Sequence, residues 1–151
     1  ILRRAAEAGL SVWFNPSPMD DGALACDLSL VSVFLLNEIE GEQLTGTAEP
    51  GAILDRMAEK YPQAAVVLTL GAAGAWYAKG GVRAFCPAEK AEAVDTTAAG
   101  DTFTGYFLRG MLDGRTPEEA LRLAARASAI AVSRPGASPS IPRFSEVERG
   151  L

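Results

Sequence analysis

Val94-Asp95-Thr96-Thr97-Ala98-Ala99-Gly100-Asp101-Thr102-Phe103-Thr104-Gly105-Tyr106-Phe107 is the stretch from which the architecture and the chemistry of this chain are read. A polar run gives way to three very small residues and then to an acid. An apolar-periodic pattern follows and predicts a helix from about 101–102 to 113. Small residues at a helix start let a ligand approach the backbone closely. The N–H groups of the first turn point at it, and the helix dipole favours negative charge there. An acid inside such a site has a role if it faces a hydroxyl that will attack a bound phosphate. Ala98, Ala99 and Gly100 therefore read as an anion hole, with Asp101 as the catalytic base within it. An ordinary helix cap is the alternative, since Asp is common at caps. The surplus of acids and hydroxyls at Asp95, Thr96, Thr97, Thr102 and Thr104 exceeds what a cap requires.

Strand and helix patterns alternate upstream of this stretch. Leu10 to Asn15 is strand-like and is broken by Pro16 and Pro18. Residues 31–36 form an apolar run short enough for a strand buried on both faces. Asn37 can cap a helix to about Leu44 that ends before Gly46, and a second helix fits Ala52 to Tyr61. Val66 to Leu70 is a third strand, closed by Gly71 to Gly74. Residues 75–78 and 82–85 read as a hairpin around a glycine turn. Downstream, Thr116 and Pro117 open a helix to about 133, and a last short helix begins near Ser145. The order predicts an α/β fold of three layers, a mostly parallel Rossmann-like sheet between helices, with residues 1–151 forming one part of it.

Composition narrows the chemistry. The chain has 151 residues, 48% of them hydrophobic, and a formal charge of −5. No basic stripe suggests a nucleic-acid partner, and no apolar run is long enough to span a membrane. There is no histidine, so acid–base work must fall to Asp, Glu, Lys, Tyr or Cys. Cys26 and Cys86 form no Cys-x-x-Cys pair and are expected to be two buried, reduced thiols of a cytoplasmic protein. The chain opens without Met on a helix-like pattern that Gly9 would close. This reads as the C-terminal part of a longer protein.

Two more strand ends carry polar or glycine-rich residues, and ligands of open parallel sheets sit outside the carboxyl ends of strands. Asn37 and Glu40 are three apart and share a helix face. A carboxylate beside a phosphate site calls for a cation between them, and Mg²⁺ held through water is the natural one. A capping box accounts for the same pair. At Thr69-Leu70-Gly71-Ala72-Ala73-Gly74 the glycines allow backbone approach to a nucleotide phosphate, and the Thr69 hydroxyl can donate to one. A tight turn is the alternative. The segment runs into a strand, so it is neither a dinucleotide fingerprint nor a P-loop.

Taken in order, these segments resemble the ribokinase-like, PfkB-type carbohydrate kinases. Val94 to Phe103 looks like the C-terminal signature of that family, Asn37 and Glu40 match its Asn-x-x-Glu motif, and Thr69 to Gly74 matches its nucleotide loop. Asn15-Pro16-Ser17-Pro18, residues 36–46 and residues 129–142 are similar to members of the ribokinase type. The resemblance implies ATP-dependent phosphorylation of a sugar hydroxyl, ribose to ribose 5-phosphate foremost. Fructose, 2-keto-3-deoxygluconate or a nucleoside as substrate, and a non-catalytic nucleotide-binding member of the fold, stay open. It implies Asp101 as base, Ala98, Ala99 and Gly100 as the hole for the transferring phosphoryl group, and Asn37 and Glu40 around Mg²⁺ and phosphates. Thr69, Gly71 and Gly74 would line the ATP site. A K⁺ site would involve Asp95 and Thr97 with the loop around Pro135, Gly136 and Ser140. Members of this type often carry Asn or His beside the adenine, where Ala124-Ala125-Arg126 stand here, so Ala125 would face the base by apolar packing. The sugar ligands and the lid strands that build a homodimer would lie in an N-terminal half that this chain does not contain. The 151-residue piece by itself is therefore expected to be inactive and to expose apolar sheet surface.

Overall fold

Four consecutive buried residues in each of two adjacent strands set the frame of the sheet. The computed structural model describes residues 1–149, in two compact units. The first comprises Ile1–Leu70 with Trp76–Arg83, and the second comprises Gly71–Ala75 with the chain from Ala84 onward.

In the first unit, helix α1 (Leu2–Glu7) is followed by Gly9 at φ 70°. The short strand β1 (Trp13–Phe14) comes next. Helix α2 (Asp21–Leu24) and a 3₁₀ turn at Leu28–Leu30 were not expected. The signal for α2 is Asp20, whose carboxylate caps the Ala23 amide at 2.7 Å, and four residues are too few to show a periodicity. Strand β2 (Val33–Asn37) leads directly into helix α3 (Glu38–Thr45), which ends at Gly46 in the left-handed region, as the spacing predicts. Helix α4 (Pro50–Lys60) starts two residues before its predicted start. The Glu49 carboxylate caps the amides of Gly51 and Ala52, and Pro50 takes the first helical position. Strand β3 (Ala65–Thr69) lies parallel to β2, as β2 does to β1, and the register pairs Phe34 with Val66 and Asn37 with Thr69. Phe34 and Leu36, alternate residues of β2, pack with Ile53, Leu54, Met57 and Leu68 in the core of this unit.

Strands β4 (Ala75–Lys79) and β5 (Val82–Cys86) flank Gly80 and Gly81, which both have positive φ (56° and 82°). That is the conformation a two-residue hairpin turn demands. The five strands run in the order β1-β2-β3-β4-β5. The sheet is therefore parallel through β3 and finishes on a hairpin.

The second unit is built on two long helices, α5 (Ala99–Leu112) and α6 (Pro117–Val132), with a short α7 (Phe144–Glu148). Gly110 of α5 permits their close approach, since a Cβ there would stand 3.0 Å from Ala120. Val147 packs with Leu123 and Ala127 of α6. Among the described residues no helix is long and apolar enough to cross a membrane. Both cysteines are free, but only Cys86 is buried. Cys26 is exposed, its Sγ donating to the Gly22 carbonyl on the short α2, because that helix buries none of its residues.

The start of α6 carries a capping box. Thr116 Oγ1 accepts from the Glu119 amide at 3.3 Å, and Glu119 Oε2 accepts from the Thr116 amide at 2.8 Å. Thr116→Ala is expected to lower stability by about 1 kcal/mol. The measurement is the denaturation midpoint, and an unchanged midpoint would show that the cap contributes nothing.

Candidate active site

The turn before α5 holds backbone that an L-residue rarely adopts. Ala98, its N-cap, has φ 62° and ψ 9°, and it is the one non-glycine residue with positive φ among those described. An L-residue there costs about 1–2 kcal/mol, and such strain persists only where its surroundings over-determine it. The left-handed turn brings Ala99, Gly100 and Asp101 into the first turn of α5, so the helix begins about two residues before its predicted start. The shift has a plain cause: the periodic apolar signal starts only where the helix packs, at Phe103. Asp101 is consequently the third helical residue, exposed at the helix start. The Ala99 amide already donates to the Thr96 carbonyl at 3.2 Å. The amides of Gly100 and Asp101 have no intrahelical acceptor and are the donors available to an anion. A Cβ on Gly100 would meet nothing within 4 Å, so the space above that turn is open.

Asp95 organises the segment leading into the turn. The Thr97 hydroxyl, the Thr97 amide (2.9 Å to Oδ1) and the Gly136 amide (2.9 Å to Oδ2) all donate to its carboxylate. In that order they hold the carboxyl below the ordinary aspartate range. The backbone is tied in parallel, for the amides of Val94 and Asp95 both donate to the Val132 carbonyl at the end of α6. Asp95, Thr97 and Gly136, predicted from distant stretches, are thus brought together. Ser140 is fully buried, and its hydroxyl donates to the Ala137 carbonyl at 2.7 Å. It braces the loop, and its hydroxyl proton is directed within the loop. Pro135 precedes Gly136 in that loop and is exposed.

A depressed folded pKa means that Asp95 stabilises the loop above the ordinary aspartate value and ceases to do so as pH falls through the folded value. The expected result is a loss of thermal stability on acidification below about pH 4. In Asp95→Asn this contribution to the acid dependence should vanish and the melting temperature at neutral pH should fall. An Asn amide would face one of the N–H donors with another donor. An unaltered acid profile in the variant would contradict this account.

In the first unit, the register sets Asn37 beside Thr69 at the carboxyl ends of two adjacent parallel strands. The capping box is realised: Asn37 Oδ1 accepts from the Glu40 amide at 2.9 Å and Glu40 Oε2 from the Asn37 amide at 3.0 Å. Glu40 is 4% exposed, so the structural and the functional readings of this pair share the same atoms. The Thr69 hydroxyl donates to the Leu36 carbonyl at 3.3 Å. It therefore presents a lone pair, and donation to a phosphate would require rotation away from Leu36.

The two glycines of the predicted nucleotide loop divide. Gly71 opens a 3₁₀ turn (Gly71–Ala73) at φ 51°, with open space where a Cβ would be, as close approach of a ligand requires. Gly74 is buried at φ 125°, and a Cβ there would run into the Cys86 carbonyl, Pro87 Cα and Ala88 N. Its identity is dictated by the neighbouring chain. That approach lays the loop against Cys86–Ala88, which line an open cleft of about 710 Å³ together with Glu89, Arg122 and Ala125. Ala125, predicted to face a base, is on this wall. Burial pushes the Cys86 thiol up, against a smaller opposite effect of Arg122.

Sequence reasoning missed two participants in the turn before α5. Ser128 of α6 donates to the Ala99 carbonyl, and no local pattern marks a serine on a helix as a partner of residues 29 positions away. Thr102, read only as part of a polar surplus, is 3% exposed, and its Oγ1 is buried without a hydrogen-bond partner, a cost of about 1–3 kcal/mol one residue from Asp101.

Comparison with known proteins supplies the context. The profile of the pfkB family carbohydrate kinases matches residues 1–143. The ribokinase of Schizosaccharomyces pombe is 39% identical over 156 aligned positions, covering 97% of this chain and 48% of that protein. Among solved structures, Arabidopsis thaliana ribokinase complexed with ribose and ATP aligns with a TM-score of 0.82 at 30% identity, over 98% of this chain and 49% of that one. A putative ribokinase II from E. coli in complex with ATP and Mg²⁺ aligns with a TM-score of 0.85 at 25% identity, over 98% and 50%. The chain spans about half the length of the curated relatives it matches. Because the family match runs from residue 1 to residue 143, and so takes in every segment described above except α7, the chain belongs to the pfkB family of carbohydrate kinases.

Proposed function

We propose that the intact protein transfers the γ-phosphoryl group of ATP to a sugar hydroxyl, with ribose giving ribose 5-phosphate as the first substrate to test. The observation that carries this reading is the strained turn at Ala98. It sets the amides of Gly100 and Asp101 and the exposed Asp101 carboxylate on one helix start. In the reaction the sugar oxygen attacks the γ-phosphorus, the bond from that phosphorus to the β–γ bridging oxygen breaks, and ADP leaves. Asp101 accepts the hydroxyl proton as the new O–P bond forms. The Gly100 and Asp101 amides and the helix dipole stabilise charge on the transferring group. Thr69, Gly71 and the cleft wall at Ala125 serve the nucleotide. Ribose is favoured over fructose, 2-keto-3-deoxygluconate or a nucleoside by the names and ligands of the relatives above.

Asn37 and Glu40 fit a role around Mg²⁺ exercised through water, since Glu40 is nearly buried and one of its oxygens is already bonded. When bound, the ion would offset phosphate charge. Asp95, Thr97 and the loop of Pro135, Gly136 and Ser140 offer carboxylate, hydroxyl and carbonyl oxygens. This donor set suits K⁺, which would brace the loop behind the anion hole. A homodimer built by chain outside these 151 residues is part of the same reading, as is inactivity of this piece alone. Sedimentation of the intact protein tests the first and an assay of the piece the second.

The deciding experiment measures ADP formation by the intact protein with ATP and Mg²⁺, with and without K⁺, over a panel of ribose, fructose, 2-keto-3-deoxygluconate and nucleosides. Sugar-dependent ADP formation, highest with ribose, is expected. The absence of ADP formation with every member would remove the reading.

A further inference from the structure

We propose that Ser128 is a positioning residue for phosphoryl transfer, holding the strained turn at Ala98–Ala99 from behind through one face of α6. Ser128 Oγ donates to the Ala99 carbonyl at 3.2 Å. Val132 lies one helical turn further along the same face, and its carbonyl accepts the amides of Val94 and Asp95 at 2.8 and 3.1 Å. Residues 94–99 are therefore fastened to α6 at two points, one on each side of the Thr96–Ala98 bend. A third tie runs from the Asp95 carboxylate to the Gly136 amide just beyond the helix.

These ties answer a question that the backbone raises. Ala98 is held at φ 62° against the preference of an L-residue, and the local bonds that oppose relaxation are modest. They are the Ala99 amide to Thr96 O at 3.2 Å and the Thr102 amide to Ala98 O at 2.9 Å. If the turn relaxes, the amides of Gly100 and Asp101 rotate with it, and the donors no longer point where the phosphoryl charge develops. The Val132 tie is backbone to backbone and cannot be removed by truncating a side chain. The Ser128 tie is made by a side chain and can be. Its hydroxyl proton is committed to the Ala99 carbonyl, so it acts through that carbonyl.

The inference rests on the phosphoryl-transfer reading, and its test has one arm that does not. In the intact protein Ser128→Ala is expected to lower kcat about 3- to 10-fold, the worth of one neutral hydrogen bond. The KM values for ATP and sugar should stay within about twofold, and the melting temperature should fall by no more than about 4 °C, as for one half-buried hydrogen bond. Ser128→Thr, which keeps the hydroxyl, should recover at least half of the lost kcat. Independently of activity, hydrogen exchange at the Thr102 amide, which closes the first turn on Ala98, should accelerate in Ser128→Ala and return toward the parental rate in Ser128→Thr. A parental kcat together with parental Thr102 exchange in Ser128→Ala overturns the inference. So does a kcat loss that Ser128→Thr fails to recover while Thr102 exchange is unchanged. If the parent protein forms no ADP at all, the functional reading has failed, and the exchange arm still decides whether Ser128 holds the turn.

Discussion

Asp101→Asn in the intact protein is expected to lower kcat by about 10²-fold or more while ATP still binds. The substitution is nearly isosteric and leaves the first turn of α5 as it is. Asp101 is exposed as the third residue of that helix, so no core packing depends on it. What it contributes to the fold is charge at a helix N-terminus, worth about 0.3–1 kcal/mol, too little to unfold the protein. What the amide lacks is a basic oxygen. The sugar hydroxyl then has no proton acceptor on the attacking side, and the loss falls on the chemical step. Steady-state kinetics with calorimetric titration of ATP would separate the two effects. Turnover within a few-fold of the parent would show that Asp101 is a cap, and the catalytic base would have to be sought elsewhere.

The second large effect concerns stability. Gly74→Ala is expected to destabilise the protein by about 3 kcal/mol or more, whereas Gly71→Ala should cost about 1 kcal/mol. Both glycines have positive φ, 125° at Gly74 and 51° at Gly71, so both substitutions strain the backbone. Only at Gly74 does the new methyl group also collide. It meets the Cys86 carbonyl, comes within 2.8 Å of Pro87 Cα and within 3.0 Å of Ala88 N, all of them backbone atoms that no rotamer change can move aside. At Gly71 there is nothing within 4 Å. Denaturant midpoints of the two variants give the comparison. Equal losses would mean that the close approach of Gly74 to the end of β5 relaxes freely and does not constrain the loop of residues 71–74.

The two glycines also show how far local pattern reaches. Both sit in one short segment at a strand end, and the sequence offers the same reason for each, backbone approach to a phosphate. The fold assigns them different reasons, because what a Cβ would meet depends on chain twelve or more residues away. Thr69 is a similar case. Its place at the end of β3 is legible from the apolar run before it, but the Leu36 carbonyl that takes its proton belongs to the neighbouring strand, and strand pairing is non-local. Asn37 and Glu40 match the local pattern in full, since a capping box closes over three residues and needs no tertiary context.

Sequence by itself determined the order of the longer elements, the parallel part of the sheet, the hairpin around Gly80 and Gly81, and the family. It also singled out Ala98 to Asp101. Each of these follows from periodicity, capping or turn chemistry that operates within a few residues, or from motif order along the chain. Tertiary structure alone decided that Ala98 takes the left-handed turn that starts α5 early. It alone decided that Cys26 is exposed and that Ser128 and Val132 of α6 fasten the turn from behind. These depend on contacts between residues about 30 to 40 positions apart, or on which face of an element is covered, and such relations exist only once the helices have packed.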